Sequence, residues 1–337
     1  MTATFEDAVR VYLPGRRDPK IVCLGGGHGM STMLRGLKRY TRNITAIVTV
    51  ADDGGGSGAL REDLGMPPPG DIRNCILALA NTEPTMERLL NYRFQEGTLS
   101  GQSFGNLFLA AMNGISETFD EAVHRMGDVL AITGRVLPVT NQSVHLEAAF
   151  DNGARVLGES KIAVYKKQED CRIDHVRLLP ERPEALEESL EAIREADMIV
   201  MGPGSLYTSV IPNLLVAGVP DAIADSRACR VLVMNIMTQE GETEGYTGVE
   251  HIRALLRHAG RDVVDVCVAN GAPVPTEISA AYRAEDAEPV ELCREEIERM
   301  GIRVYCYPLL ARGQNARHDS DALARALMAV LGEYAVR

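Results

Sequence analysis

The sequence predicts an α/β fold, a doubly wound, mainly parallel sheet with helices on both faces and a small antiparallel hairpin insert. Three observations predict it. A strand, a glycine-rich turn and a helix follow one another within Lys20–Leu37; short apolar runs then alternate with amphipathic segments along most of the chain; and that alternation is interrupted once, between about 134 and 180.

The first unit reads KIVCLGGGHGMSTMLRGL. Lys20–Leu24 is an apolar run of strand formers, and Met30, Met33, Leu34 and Leu37 recur at helical spacing. Between them Gly25, Gly26, Gly27, His28 and Gly29 form a turn into a helix N-terminus, where backbone N–H groups lack helical partners and the dipole favours an anion. The turn is a candidate phosphate cradle. It is neither a G-x-G-x-x-G fingerprint, since Met30 stands at the third glycine, nor a P-loop, since no Gly-Lys-Ser/Thr closes it.

Ile44–Val50 reads as a buried strand ending in Asp52 and Asp53, the place where a dinucleotide fold contacts ribose. A paired carboxylate there also suits a magnesium ion carrying a substrate's diphosphate. Gly54–Gly58 is too glycine-rich to be expected in regular structure. After Pro67-Pro68-Pro69-Gly70, Asp71 is expected to cap a helix over Ile72–Ala80, with Arg73 and Asn74 in its first turn beside a ligand. Further helices are expected from Pro84 to Arg93, Asn106 to Ile115 and Thr118 to Ile132. Gly101–Gly105 matches the G-x-S-x-G elbow of serine hydrolases, but Gln95–Ser100 before it has no strand pattern.

Asp151-Asn152-Gly153 between Val144–Phe150 and Ala154–Leu157 is a hairpin signal, and Cys171–Leu179 reads as a further strand. The α/β alternation then resumes with a helix over Pro183–Ala196, a strand over Met198–Met201 and a second strand-to-helix loop. That loop, Gly202–Ser209, opens with Gly202, Pro203, Gly204 and Ser205, and its hydroxyls, Thr208 included, and free N–H groups are candidates to close over a ligand. Loops Asn235–Thr243 and Ala311–Asp319 complete the rim at the strand ends, and Arg312 and Arg317 are the natural diphosphate partners in it.

Composition narrows the function classes. The chain has 337 residues, 45% of them hydrophobic, and a formal net charge of −12, which argues against a nucleic-acid or anionic-membrane surface. Seven cysteines form no CxxC pair; Cys23, Cys267 and Cys306 lie in strand-like runs and are expected to be buried free thiols, as in a reducing cytoplasm. The most apolar window, Met198–Val219, is broken by Pro203 and Pro212, so no membrane span is expected, and the N-terminus lacks the apolar core of a signal peptide. No HExxH, CxxC pair or EF-hand loop points to built-in zinc or calcium.

Taken in order, GGGHG, ADDGGGSGALR, PPGDIRN, SFGNLFLAA, GPGSLYTSVIPNL, NIMTQEGET and RHD resemble the YvcK-type gluconeogenesis factors, within the superfamily of the 2-phospho-L-lactate transferases (CofD). The resemblance spans about Lys20–Leu331. It implies a Rossmann-like core, with 1–19 as an N-terminal extension and 20–337 as one domain carrying the insert. It also implies a cytoplasmic protein needed for cell shape under gluconeogenic growth that binds a nucleotide sugar such as UDP-N-acetylglucosamine, with a regulatory protein partner and a homo-oligomeric state in view. By position it implies a nucleotide pocket of Gly25–Gly29, Asp52, Asp53, Asn74, Gly202–Ser209 and Arg317. The chain departs from common family usage at His28, often threonine, and at Gly56 and Ala59, often serine and arginine. Two alternatives remain beside a binder without turnover: a phospholactyl or other phospho-transferase using magnesium, and an NAD-binding oxidoreductase.

Overall fold

The computed structural model describes residues 18–169 and 171–335. The expected N-terminal extension lies outside the described residues except for Asp18 and Pro19. Asp18 fastens the start of the fold by accepting from Thr41 Oγ1 at 2.9 Å and Arg42 N at 2.7 Å.

Seven short strands, β1 (Ile21–Gly25), β2 (Ile44–Val48), β3 (Arg135–Pro138), β7 (Met198–Met201), β8 (Cys229–Val233), β9 (Val266–Asn270) and β10 (Arg303–Tyr307), form one sheet in the order β10-β9-β8-β7-β1-β2-β3. Every pairing in it is parallel. The central strands β1, β2 and β7 are buried at every residue, as a sheet covered on both faces requires. From β1 the chain moves outward to β2 and β3, whereas from β7 it moves the other way to β10. Right-handed crossovers therefore place the two sets of helices on opposite faces, and the strand order reverses between β1 and β7. A crevice opens at that reversal, beyond the carboxyl ends of both strands.

The first helix, α1 (Gly27–Leu37), buries Met30, Met33, Leu34 and Leu37. Each such side chain contributes about 1.5–3 kcal/mol. α1 packs against α3 (Gly70–Leu79) and against the last helix, α14 (Ser320–Ala335).

Several expectations need correction. Gly54–Gly58 is not irregular: α2 (Gly55–Leu64) begins there and ends at Gly65 in the left-handed region. Tertiary contacts override the low helix propensity of its glycines. The bare Cα of Gly58 lies on the backbone of Asp53, and buried Arg61 reaches Val144 O at 2.5 Å. Arg135–Pro138, which the insert boundary near 134 would include, instead joins the main sheet as β3, with Thr45 opposite Arg135 and Val48 opposite Pro138. The insert sheet comprises β4 (His145–Phe150), β5 (Arg155–Leu157) and β6 (Ile173–Leu179), antiparallel in the order β5-β4-β6. Between its last two strands lies an unanticipated helix, α7 (Glu159–Gln168). Cys306 is exposed rather than buried, because β10 is an edge strand; Cys23 and Cys267 are buried as expected.

Ser103 of the G-x-S-x-G match is buried, and it caps α5 (Phe104–Gly114), accepting from Asn106 N at 3.2 Å. It is a structural cap and not an exposed nucleophile. No helix among the described residues is long and apolar enough to cross a membrane.

Candidate functional site

The two loops flanking the crevice touch each other. A Cβ built on Gly29 would stand 2.5 Å from Pro203 O and 2.8 Å from Pro203 C, so only glycine admits this approach of α1 to the loop after β7. Gly27 meets a different need: its φ is +67°, in the left-handed region, while its side-chain direction is open except for Ser209 Oγ at 3.9 Å. Asn235, just beyond β8, holds the second loop from both sides. Its Nδ2 donates to Gly204 O at 2.9 Å, and its Oδ1 accepts from Gly204 N at 3.3 Å. Ser205 Oγ donates to Gln239 Oε1 at 2.7 Å.

These loops and the segment ending at His318 enclose a cleft of about 260 Å³, whose lining includes His28, Gly29, Pro203, Gly204, Ser205 and Arg317. Residues far apart in sequence thus share one cleft. Partial burial, followed by the charges of Arg317, Arg73 and Arg35, lowers the pKa of His28 and favours its neutral form. The N–H groups of His28 and Gly29 lie in the first turn of α1, where no helical acceptor exists.

The amide of Gly27 is differently employed. It donates to the carboxyl of Asp71, whose Oδ2 lies so close to Gly26 that a Cβ there would stand 2.4 Å away. Asp71 is therefore not the N-cap expected from sequence. Pro69 occupies that position, α3 starts at Gly70, and the Asp71 side chain reaches across to the glycine turn. Burial and the charge of Asp52 raise its pKa to about 6, against the opposing pull of Gly27 and Arg73.

Asp52 and Asp53 do not line the cleft; they sit beside it, at the N-terminus of α2. Asp52 Oδ1 accepts from Gly54 N at 2.8 Å, and Asp53 Oδ1 accepts from Ser160 N, in the insert, at 2.8 Å. Asn74 also lies off the cleft lining, where its Oδ1 accepts from Arg73 Nη2 at 2.8 Å. Arg73 itself is buried in the protein.

Two further carboxyls are absent from the site expected from sequence: Glu159 adjoins the aspartates, and Glu242 adjoins Glu159. Glu159 opens α7, and burial together with the charges of Asp52, Glu242 and Asp53 raises its pKa to about 8. Glu242 is buried, which raises its pKa to about 7. Its Oε1 accepts from Thr208 Oγ1 at 2.8 Å and its Oε2 from Tyr207 N at 3.1 Å. Those donors belong to a π-helical turn, Leu206–Val210, of the kind often found at functional sites. The hydroxyls expected to close over a ligand in that loop, Ser205 and Thr208, are thus turned onto protein acceptors. Glu242 lies in a rim loop legible from sequence; nothing in the local sequence marks half-buried Glu159 as set among other carboxyls.

Among the described residues no three His, Cys, Asp or Glu side chains are gathered as a metal cage. Magnesium needs less, commonly one or two carboxylates with waters and phosphate oxygens. Asp53, with one oxygen bound to Ser160 N, fits that part, and Asp52 beside it is the second candidate ligand. A cation there would offset the crowded carboxyls and neutralise a diphosphate.

The model of the 2-phospho-L-lactate transferase CofD family matches residues 21–310. The chain belongs to the CofD family. Within it, a relative from Thermoanaerobacterium thermosulfurigenes is 55% identical over 95% of this chain and 98% of its own. The gluconeogenesis factor of Bacillus subtilis is 46% identical, covering 94% of this chain and 99% of its own. A crystal structure of a UPF0052-family protein from Bacillus halodurans superposes with a TM-score of 0.88 at 44% identity, over 92% of this chain and 99% of that one. The strand-end crevice of this CofD-family chain is therefore set in a fold it shares with gluconeogenesis factors.

Proposed function

We propose that this protein binds a nucleotide sugar of the UDP-N-acetylglucosamine type in the cleft and acts as a cytoplasmic regulator of cell morphogenesis during gluconeogenic growth, without turnover. The observation that carries the reading is the contact of Gly29 with Pro203, which brings the first turn of α1, the loop after β7 and Arg317 around one cleft. Unpaired N–H groups and a guanidinium are the donors a diphosphate needs, in a chain whose net charge of −12 offers no attraction from a distance. The names of the relatives support the gluconeogenic setting. The test is incubation of the protein with UDP-N-acetylglucosamine and magnesium. The expected outcome is thermal stabilisation with the ligand recovered intact by chromatography, and absence of stabilisation would refute binding.

Phospholactyl or other phospho-group transfer is the second reading. The family description favours it, as do three carboxyls, Asp71, Glu242 and Glu159, with pKa values raised to about 6, 7 and 8, the range in which a carboxyl can exchange a proton near neutrality. Release of UDP or UMP that disappears in Asp53→Asn would establish turnover in place of simple binding.

A further inference from the structure

The insert sheet ends in β6, and an outward-facing amide of that edge strand is fastened to the parallel domain. Val176 N, opposite Ala148 in the pairing with β4, donates not to β4 but to Nε2 of His258 at 3.0 Å. His258 stands near the end of the helix Gly248–Ala259, and its Nδ1 meets Ala254 O at 2.7 Å.

These two bonds fix the protonation of the ring. A backbone N–H only donates, so Nε2 presents its lone pair; a carbonyl only accepts, so Nδ1 carries the hydrogen. His258 is therefore neutral in this arrangement. A second proton has one place to go, Nε2, where it would set one N–H against another across 3.0 Å. The contact that holds the strand edge would become a repulsion between two donors. The amide of Val176, a residue only 2% exposed, would lose its partner.

The charged groups around the ring come from two elements. Asp174 and His175 face it from β6, and Arg257 from its own helix. Asp174 is already engaged, with Oδ1 3.3 Å from Arg257 Nη1 and Oδ2 2.9 Å from His175 Nδ1. The π-helical turn contributes Tyr207, whose ring meets the imidazole edge to face with centroids 5.8 Å apart; burial raises the pKa of its phenol and keeps it uncharged. The short helix Ile211–Leu214, packed on the same helix, carries no titratable side chain, and Arg294–Arg299 meets that helix at its far end, where Ile297 approaches Gly248. Burial dominates the balance at His258. With Arg257 and His175 it outweighs Ala254 O and Asp174, and the pKa falls below the ordinary histidine value. The bond to Val176 is thus intact at neutral pH and is lost as the medium turns acid through that lowered value.

We propose that His258 is a proton-operated latch for the insert: neutral, it holds β6 on the parallel domain, and protonated, it lets β6 go. What the latch controls follows from the neighbouring ties. Ser160 N, at the head of α7 in the same insert, donates to Asp53 Oδ1 at 2.8 Å, and Glu159 beside it lies among Asp52, Asp53 and Glu242. Tyr207, against the ring, donates its N–H to Glu242 Oε2 at 3.1 Å. Release of β6 in acid therefore slackens the carboxyl-rich flank of the cleft while the cleft-lining residues keep their chemistry. The latch acts whatever ligand the cleft takes.

Hydrogen exchange of the full chain, read by mass spectrometry between about pH 8 and about pH 5 and corrected for the intrinsic pH dependence of exchange, tests this. In wild type, peptides from 159–168 and 173–179 should exchange at least tenfold faster at the acid end, while peptides from β1 and β7 keep their protection. His258→Gln supplies a carbonyl oxygen that accepts at every pH, so its insert should stay protected throughout. His175→Gln removes the other titrating ring of this corner and should keep the wild-type transition. Wild-type protection that is constant with pH overturns the proposal, as does a transition that survives His258→Gln or vanishes in His175→Gln. A measurement on the unaltered protein covers a Gln variant that fails to fold or to make the bond. The His258 ring resonances, titrated by NMR, should share their midpoint with the loss of insert protection, and midpoints more than about one pH unit apart also overturn the latch.

Discussion

Gly29→Ala is the most direct perturbation of the cleft. The added Cβ would lie 2.5 Å from Pro203 O, 2.8 Å from Pro203 C and 3.2 Å from Gly204 N, whereas ordinary contact begins at 3.4 Å. Something must move by about 0.9 Å, and all three of these neighbours are backbone atoms. That backbone has little freedom, since Gly202 N is bonded to Leu24 O at 3.0 Å and Asn235 grips Gly204 on both sides. Overpacking of this kind costs about 1–3 kcal/mol. With an unfolding entropy of about 2.1 cal/mol/K per residue, the 337-residue chain should lose roughly 3 °C in melting temperature for a cost of 2 kcal/mol. The separated loops should also weaken UDP-N-acetylglucosamine binding at least tenfold, about 1.4 kcal/mol. The control is Gly114→Ala, where a Cβ meets nothing within 4 Å, and stability and binding should be unchanged or slightly improved. Scanning calorimetry and titration calorimetry provide both readouts. A Gly29→Ala protein that melts and binds like wild type would refute the claim that this backbone contact builds the cleft.

Gly27→Ala should cost about 1–2 kcal/mol in stability through its positive φ and not through a clash, a difference that Gly27→Asn, which tolerates the left-handed region better, should partly reverse in thermal melts. Arg317→Ala should weaken nucleotide-sugar binding by roughly 1.5–3 kcal/mol, the loss of one charged hydrogen bond, and titration calorimetry that finds no change would assign it to the solvated rim. Glu159 has a folded pKa of about 8 against an ordinary 4.5, so its contribution is fully present below pH 4.5 and is lost as pH rises through 8. The melting temperature of wild type minus that of Glu159→Gln should accordingly fall between pH 5 and 8.5, and a flat difference would contradict the burial assigned to this carboxyl. Native alkylation followed by mass spectrometry should label Cys306 well ahead of Cys23, Cys75, Cys229 and Cys267, which are buried with raised thiol pKa values.

Legibility from sequence followed the range of the interactions involved. The strand–turn–helix unit at Ile21–Leu37 was plain because local apolar periodicity and a glycine cluster define it. The same local signal misjudged Gly54–Gly58, where helix formation depends on Gly58 packing against Asp53 and Arg61 reaching Val144. Strand β3 is four residues long, and its membership in the main sheet is decided by its register against Thr45–Val48. The cleft was half legible. Gly29, Pro203–Ser205 and Arg317 stand on its wall, but Asp52, Asp53 and Asn74 lie beside it. Asp71 looks like any helix cap until the fold brings Gly27 to it, and Glu159 is one glutamate among many until the fold sets the insert's helix against Asp52, Asp53 and Glu242.

The way the insert is fastened has a consequence for anyone who would exchange it. Ser160 N at the start of α7 donates to Asp53, Lys166 near its end pairs with Glu244, and Val176 N on β6 donates to His258 Nε2 at 3.0 Å. These three ties run from the insert to the loop after β2, the loop after β8 and the helix Gly248–Ala259. The antiparallel sheet is thus not a removable ornament. A chimaera carrying another family member's version of 145–179 would have to match all three anchor points, or it would release Asp53 from Ser160 and alter the site without changing any residue that lines the cleft.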